Sequence, residues 1–199
     1  MAHSQVTNEL SMFDRSMRMW RELDFPVLAD DSDELNRYLH CLRKTYENGS
    51  VLHRTFSIPE HQDLDDFLLR GQLHSAFFFE RFWQAKSVQA SLPYSLHEVN
   101  FLGTDLFRWV HPVELFGSMA RVLVAGGAYG HHVPSARDAM GLATNAAAFL
   151  LGGDFEESKV FVAHSAWSAF FFDVAWDYTC LVIQPANRKI HVVLATDTD

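Results

Sequence analysis

Four aspartates close to the C-terminus are the residues whose type and spacing could best support chemistry. They are Asp173, Asp177, Asp197 and Asp199. Clustered carboxylates can bind a hard cation, hold an arginine of a partner, or act as acid and base if their surroundings separate their pKa values. They can equally end strands and cap neighbouring backbone groups. Three roles therefore stay open at this stage, which are structural, partner-binding, and metal-binding or catalytic.

A predicted β-hairpin over residues 176–195 would bring these carboxylates together. Its turn is the sequence Pro-Ala-Asn-Arg, which lies between two apolar, β-branched runs. If Gln184 pairs with Lys189, then Asp177 lies opposite Thr196 and the other aspartates gather at the open end of the hairpin. Both faces of the hairpin are apolar, which predicts central strands that are covered on both sides.

A glycine-rich turn at residues 126–132 is the next candidate. It leads into a helix, and backbone N–H groups at such a place can hold an anion. The turn matches no phosphate-binding glycine motif, and the alternative is a helix connection in which glycine supplies positive φ. His131 and His132 are adjacent and would point apart, and the sequence contains no zinc spacing and no nucleophile elbow. We therefore expect no metal, no cofactor and no catalytic residue.

Aromatic residues crowd the segment just before the hairpin. Such residues usually form core, but an exposed aromatic patch with acidic neighbours is typical of a protein–protein hot spot. The residues concerned are Trp167, Phe170, Phe171, Phe172, Trp176 and Tyr178.

The charge balance restricts the kinds of partner. The chain has 16 Lys and Arg against 25 Asp and Glu, a formal net charge of −9. A duplex-binding protein needs a basic surface that displaces counterions. The densest basic group, Arg15, Arg18 and Arg21, is interleaved with Asp14 and Glu22, as on a solvated helix face. We expect no nucleic acid and no membrane partner, whereas a basic protein is compatible with this charge.

The cellular compartment is indicated by the targeting and membrane-spanning signals that the sequence lacks. The first twenty residues have no continuous apolar core like that of a secretory signal, and no run approaches the ~18 apolar residues of a membrane span. Cys41 and Cys180 are too few for a disulfide framework and are expected to be buried free thiols, which suits a reducing compartment. We therefore expect a cytoplasmic protein.

Hydrophobic periodicity predicts an α+β fold in a single domain over residues 1–199. The expected helices are residues 4–23, 32–46, 112–124 and 136–151, with a helical stretch after Pro59 that Gly71 could kink or split. Residues 77–83, FFFERFW, favour a helix, although periodicity does not decide there. The expected strands are residues 51–56, 160–163, 170–183 and 189–195. The mainly helical N-terminal two thirds should pack on a C-terminal antiparallel sheet.

The C-terminal segment resembles a family of bacterial proteins. Residues 165–180, SAWSAFFFDVAWDYTC, are followed by IHVVLATDTD at residues 190–199. Together they are similar to proteins that end in a W-D-x-T … T-D-T-D pattern, found among the immunity proteins of polymorphic toxin systems. The Gly-Gly-Ala-Tyr turn at residues 126–129 fits the same group, so that the resemblance covers residues 115–199.

This resemblance implies a cytoplasmic inhibitor that binds a cognate toxin. Its signature residues would be Trp176, Asp177, Asp197 and Asp199, and whether these bind the toxin or hold the fold is left open.

The expected function is therefore a small acidic binding protein, an immunity protein that neutralises a basic toxin by occlusion and catalyses no reaction. Its partner-binding residues would be Asp173, Trp176, Asp177, Asp197 and Asp199. The alternative is an enzyme of unknown class that uses the four carboxylates beside the glycine-rich turn, which requires both elements to converge on one pocket. A third possibility is a structural subunit with an exposed apolar patch.

Overall fold

A computed structural model of the chain describes residues 11–30, 32–73, 77–93, 96 and 106–199. Its helices are α1 (Met12–Glu22), α2 (Asp33–Thr45), α3 (Gln62–Leu69), α4 (Phe78–Gln84), α5 (Lys86–Ser91), α6 (Pro112–Ala125) and α7 (Ala136–Leu151). Its strands are β1 (Val27–Leu28), β2 (Ser50–Ser57), β3 (Arg108–Val110), β4 (Lys159–Ala163), β5 (Tyr178–Gln184) and β6 (Lys189–Thr196).

The six strands form one antiparallel sheet in the order β1-β2-β6-β5-β4-β3. The predicted α+β class is confirmed. The C-terminal hairpin lies in the middle of the sheet, and strands from the first 110 residues extend it on both sides. In particular, β2 pairs with the whole of β6, from Ser50 opposite Thr196 to Ser57 opposite Lys189.

The hairpin has the predicted register, with Gln184 opposite Lys189. Its alternate residues contribute to two separate cores, as expected for central strands covered on both faces. Leu181 and Ile183 pack with the aromatic residues of α4 and with Trp167. Cys180 and Val182 pack against α2, α6 and α7.

Local signals predicted most helix ends correctly. The side chains of Ser32 and Ser135 cap α2 and α7, and Pro112 opens α6 behind a capping box formed by His111 and Glu114. Gly71 has φ of +65° and ends the stretch that begins with α3, while residues 78–84 are helical as favoured.

Two element predictions need correction or lie partly outside the described residues. Residues 170–177 form turns and bends rather than the start of a strand, and β5 begins only at Tyr178. Within the first predicted helix the structure describes α1, whereas residues 4–10 lie outside the described part. Among the described residues, no helix is long and apolar enough to cross a bilayer.

Arg15 and Arg18 of α1 are ion-paired rather than simply solvated. Arg15 Nε and Arg18 Nη2 each donate to the carboxylate of Asp63 at 2.8 Å, and Arg15 Nη2 donates to Asp66 at 2.7 Å. Burial alone would raise the pKa of Asp63, but the hydrogen bonds from the two guanidinium groups outweigh it and lower that pKa. These contacts fix α1 on α3.

Asp63→Asn should therefore loosen α1. The asparagine amide is neutral and has only one acceptor oxygen, whereas the carboxylate accepts from both guanidinium groups. We therefore expect the free energy of unfolding to fall by about 1–3 kcal/mol. Asp65→Asn is the matched control, because Asp65 pairs with Arg188 at an exposed site where such pairs contribute about 0–1 kcal/mol. Urea unfolding of both variants measures the difference, and equal losses would contradict the assigned role of Asp63.

Candidate functional site

Asp177 is a buried residue that closes a turn before β5. Its side chain is 1% exposed, and Oδ1 accepts from the hydroxyl of Thr196 at 2.6 Å. Its Oδ2 accepts from the backbone N–H of Val174 at 3.1 Å, while its own N–H donates to the Val174 carbonyl at 3.1 Å. The expected position opposite Thr196 is confirmed, and the carboxylate holds the turn in place.

Asp197 is also buried, at 0% exposure, and ties two distant turns to the end of β6. Its Oδ1 accepts from the N–H of Asn48 after α2 at 3.1 Å, and its Oδ2 accepts from the N–H of Ala128 after α6 at 2.8 Å. The approach is close, because a Cβ added at Gly127 would lie 2.3 Å from Oδ2. The glycine-rich turn and the carboxylates therefore do converge, through main-chain hydrogen bonds.

The glycine-rich turn itself connects α6 to α7. Gly126 and Gly130 have φ of +79° and +116°, which agrees with the helix-connection interpretation. His132 Nε2 lies 3.1 Å from Glu47 at the exposed surface. Within the described ranges, no group of three His, Cys, Asp or Glu residues could hold a metal ion.

The predicted partner-binding residues divide by accessibility. Asp177 and Asp197 are buried and hold neighbouring backbone, which is the structural role left open for them, while a part in partner binding stays a prediction. Asp173 and Asp199 are exposed, and Trp176 is half-buried. Asp173 and Asp177 both lie in the loop before β5 rather than on one strand, and Asp173 has φ of +59°.

The aromatic segment divides in the same way. Phe172 is 52% exposed, whereas most of its aromatic neighbours belong to the core. The indole N–H of Trp167, for example, donates to the hydroxyl of Thr179 at 2.8 Å, deep in the structure. Phe172 and Asp173 are exposed and Trp176 is half-buried, all within one loop, and these three residues are called here the 172–176 rim.

An open cleft of about 420 Å³ lies beside this rim. It is formed where the end of α6, the residue after β4 and the start of β5 meet. The lining includes Tyr46, Arg121, Ala125, His164, Trp176 and Asp177.

Arg121 and His164 form the polar mouth of the cleft. Both are exposed, and Arg121 Nη2 lies 3.1 Å from His164 Nε2. A guanidinium has only donors, so Nε2 must accept, which makes the imidazole neutral with its proton on Nδ1. Desolvation by the surrounding protein lowers the pKa of His164, and the positive charges of Arg121 and Arg108 lower it further. A main-chain hydrogen bond with Asp177 acts in the opposite direction.

The floor of the cleft has the opposite polarity. Burial raises the pKa of Tyr46, and the charges of Asp197 and Asp177 raise it further. Asp177 itself lines the cleft, so its negative charge lies beside this floor. Ala125 and Gly126 add the C-terminal end of α6, where helix carbonyls carry partial negative charge.

Sequence reasoning missed Arg121, His164 and Tyr46. Arg121 did carry a signal, since it is the one basic residue in the otherwise mostly apolar α6. His164 follows the apolar strand β4, and Tyr46 occupied an apolar position of a predicted helix. Only the fold brings these positions together.

Comparison with protein-family models, with curated proteins and with solved structures finds no match for this chain. The resemblance to immunity proteins therefore stays a prediction.

Proposed function

We propose that this chain is a cytoplasmic binding protein that neutralises a basic bacterial toxin by covering its surface, without turnover. The supporting observation is the 172–176 rim, a loop that carries exposed Phe172, the exposed carboxylate of Asp173 and half-buried Trp176, which also lines an open cleft. Accessible aromatic side chains next to a pocket are characteristic of binding hot spots.

Charge and rigidity favour the same role. The net charge of −9 would steer a basic partner toward the chain and disfavour acidic ones. The turn is already held by Asp177 through its two hydrogen bonds with Val174. A rim that is fixed before binding loses less conformational entropy on association.

The buried carboxylates have an indirect part in this proposal. Asp177 positions the rim from beneath, and Asp197 holds the turns on the other side of the cleft. On this proposal, the aspartates of the T-D-T-D and W-D-x-T patterns maintain the fold, and the exposed residues beside them contact the toxin.

An enzyme remains the second candidate, because Asp197 and the glycine-rich turn do converge, with 2.8 Å between Oδ2 and the N–H of Ala128. Each oxygen of Asp197 already accepts from a main-chain N–H group. Acid–base chemistry at Asp197 would require those bonds to open, so binding is the better-supported function.

The test compares the full chain with a rim variant, Phe172→Ala/Asp173→Asn. Asparagine removes the charge and tolerates the left-handed backbone of Asp173. Tagged protein is used to capture partners from the cells in which the chain is native. We expect a basic protein in one-to-one ratio with the unaltered chain, and recovery reduced about tenfold or more with the rim variant.

Leu69→Ser is the control, since Leu69 is the most exposed large apolar residue described and lies on α3. It should retain the partner fully. The captured protein should arrest growth when expressed alone, and coexpression of the unaltered chain should restore growth. A captured protein that is harmless alone, or one that the rim variant retains fully, would overturn the proposal.

A further inference from the structure

We propose that the cleft binds a small zwitterion of the α-amino-acid type, with its carboxylate at Arg121 and its ammonium over the floor beside Asp177. This site is separate from the proposed partner interface, although Trp176 borders both. The isolated chain should bind the ligand without any partner protein.

The mouth of the cleft supplies an available cation. The guanidinium of Arg121 makes its hydrogen bond with the neutral ring of His164, and among the described residues it has no ion pair with a carboxylate. Its planar set of five N–H donors leaves several for a ligand, and this arrangement matches a carboxylate. The hydrogen bond with His164 holds the guanidinium of Arg121 at the mouth of the cleft.

The floor supplies negative potential. Asp177 lines it, and Asp177 and Asp197 both act electrostatically on Tyr46. The end of α6 at Ala125 and Gly126 adds the negative end of a helix dipole. An ammonium group is favoured there, and the ring of Trp176 offers a further cation–π surface.

The charges of both signs in the lining of the cleft decide the ligand class. An anion alone would be repelled by the buried charge of Asp177 and by the helix end, whereas a cation alone would be repelled by Arg121. A zwitterion satisfies charges of both signs at once. The volume of about 420 Å³ lies in the range of small-molecule sites. Val122, Ala125 and Trp176 provide apolar wall, which favours an apolar or aromatic side chain.

The experiment measures binding of leucine and phenylalanine to the purified full chain by isothermal titration calorimetry. Each is paired with two analogues that lack one charge. These are 3-methylbutylamine and 4-methylpentanoate for leucine, and phenethylamine and 3-phenylpropanoate for phenylalanine. We expect at least one amino acid to bind with Kd in the micromolar to millimolar range. Both of its analogues should bind about tenfold more weakly or worse, as expected for loss of a charged hydrogen bond.

Arg121→Gln tests the mouth, with Arg137→Gln on the exposed surface of α7 as control. Arg121→Gln should weaken the amino acid about tenfold while leaving the corresponding amine unchanged, and the control should alter neither. Failure of both amino acids to bind, equal binding of an analogue, or undiminished binding by Arg121→Gln would each overturn the assignment. None of these results depends on a partner protein, so they leave the proposed function to its own test.

Discussion

Asp197→Ala should lower the free energy of unfolding by about 3–5 kcal/mol, because it removes two hydrogen bonds to a charged acceptor. The N–H groups of Asn48 and Ala128 would lose their partner in a part-buried place where water replaces it poorly. The turns after α2 and α6 would both lose their attachment to β6. Urea unfolding followed by circular dichroism measures the change.

Asp199→Ala is the matched control, since Asp199 lies two residues further along the chain and is exposed. Its removal should change the free energy of unfolding by less than about 0.5 kcal/mol. The pair of variants separates a structural aspartate from an accessible one within the same T-D-T-D sequence. Equal stability of the two variants would show that Asp197 does not hold the turns.

Much of the fold could be predicted because its signals are local. The Ser32 and Ser135 caps and the Pro112 start each act within one helical turn, and they gave α2, α6 and α7 nearly to the residue. The hairpin register followed from a short turn between two β-branched runs, since Gln184 and Lys189 are close in sequence.

The pairing of strands that are distant in sequence could be predicted less well. The pairing of β2 with β6 joins segments about 140 residues apart, and no local pattern specifies which strand lies beside the hairpin. The aromatic run at residues 170–177 has strand-like composition, yet its turn is held by the Asp177 carboxylate through tertiary contacts. At residues 170–177, tertiary contacts therefore override the β propensity of the side chains.

The candidate site was predicted only in part for the same reason. The four aspartates were found by type and spacing, but burial divided them into two structural and two exposed residues. Arg121 and His164 are 43 residues apart in the chain, and their contact depends on how α6 packs on the sheet. Sequence spacing carries no information on such a contact.

Acidification from pH 7 to pH 5 should remove about 2 kcal/mol of stability through one buried imidazole, that of His191. Its Nδ1 lies 3.0 Å from the hydroxyl of Thr55, and its Nε2 lies 3.2 Å from the amide nitrogen of Gln184. That amide also donates to the carbonyl of Leu150 at 2.6 Å, so Nε2 must accept and the ring is neutral. Protonation would make two donors face each other.

The direction of the effect follows from the pKa in the two states. Burial lowers the pKa of His191 from its ordinary 6.5 to about 3, and neighbouring His53 and Lys189 act in the same direction, while Asp30 opposes them. At pH values between about 3 and 6.5, the imidazole of His191 is protonated in the unfolded chain and neutral in the folded chain. Stability is therefore complete above about pH 6.5 and falls as the pH decreases toward 3.

His191→Gln should abolish this part of the pH dependence, because glutamine can keep a neutral hydrogen bond and does not titrate. His40→Gln, at an exposed position on α2, should leave the slope as it is. His164 also has a lowered pKa and contributes with the same sign, so a shallower slope should remain in His191→Gln. Urea midpoints at pH 5, 6 and 7 give the slopes. If His191→Gln loses as much stability as the unaltered chain over this range, proton uptake by His191 is not what destabilises the fold.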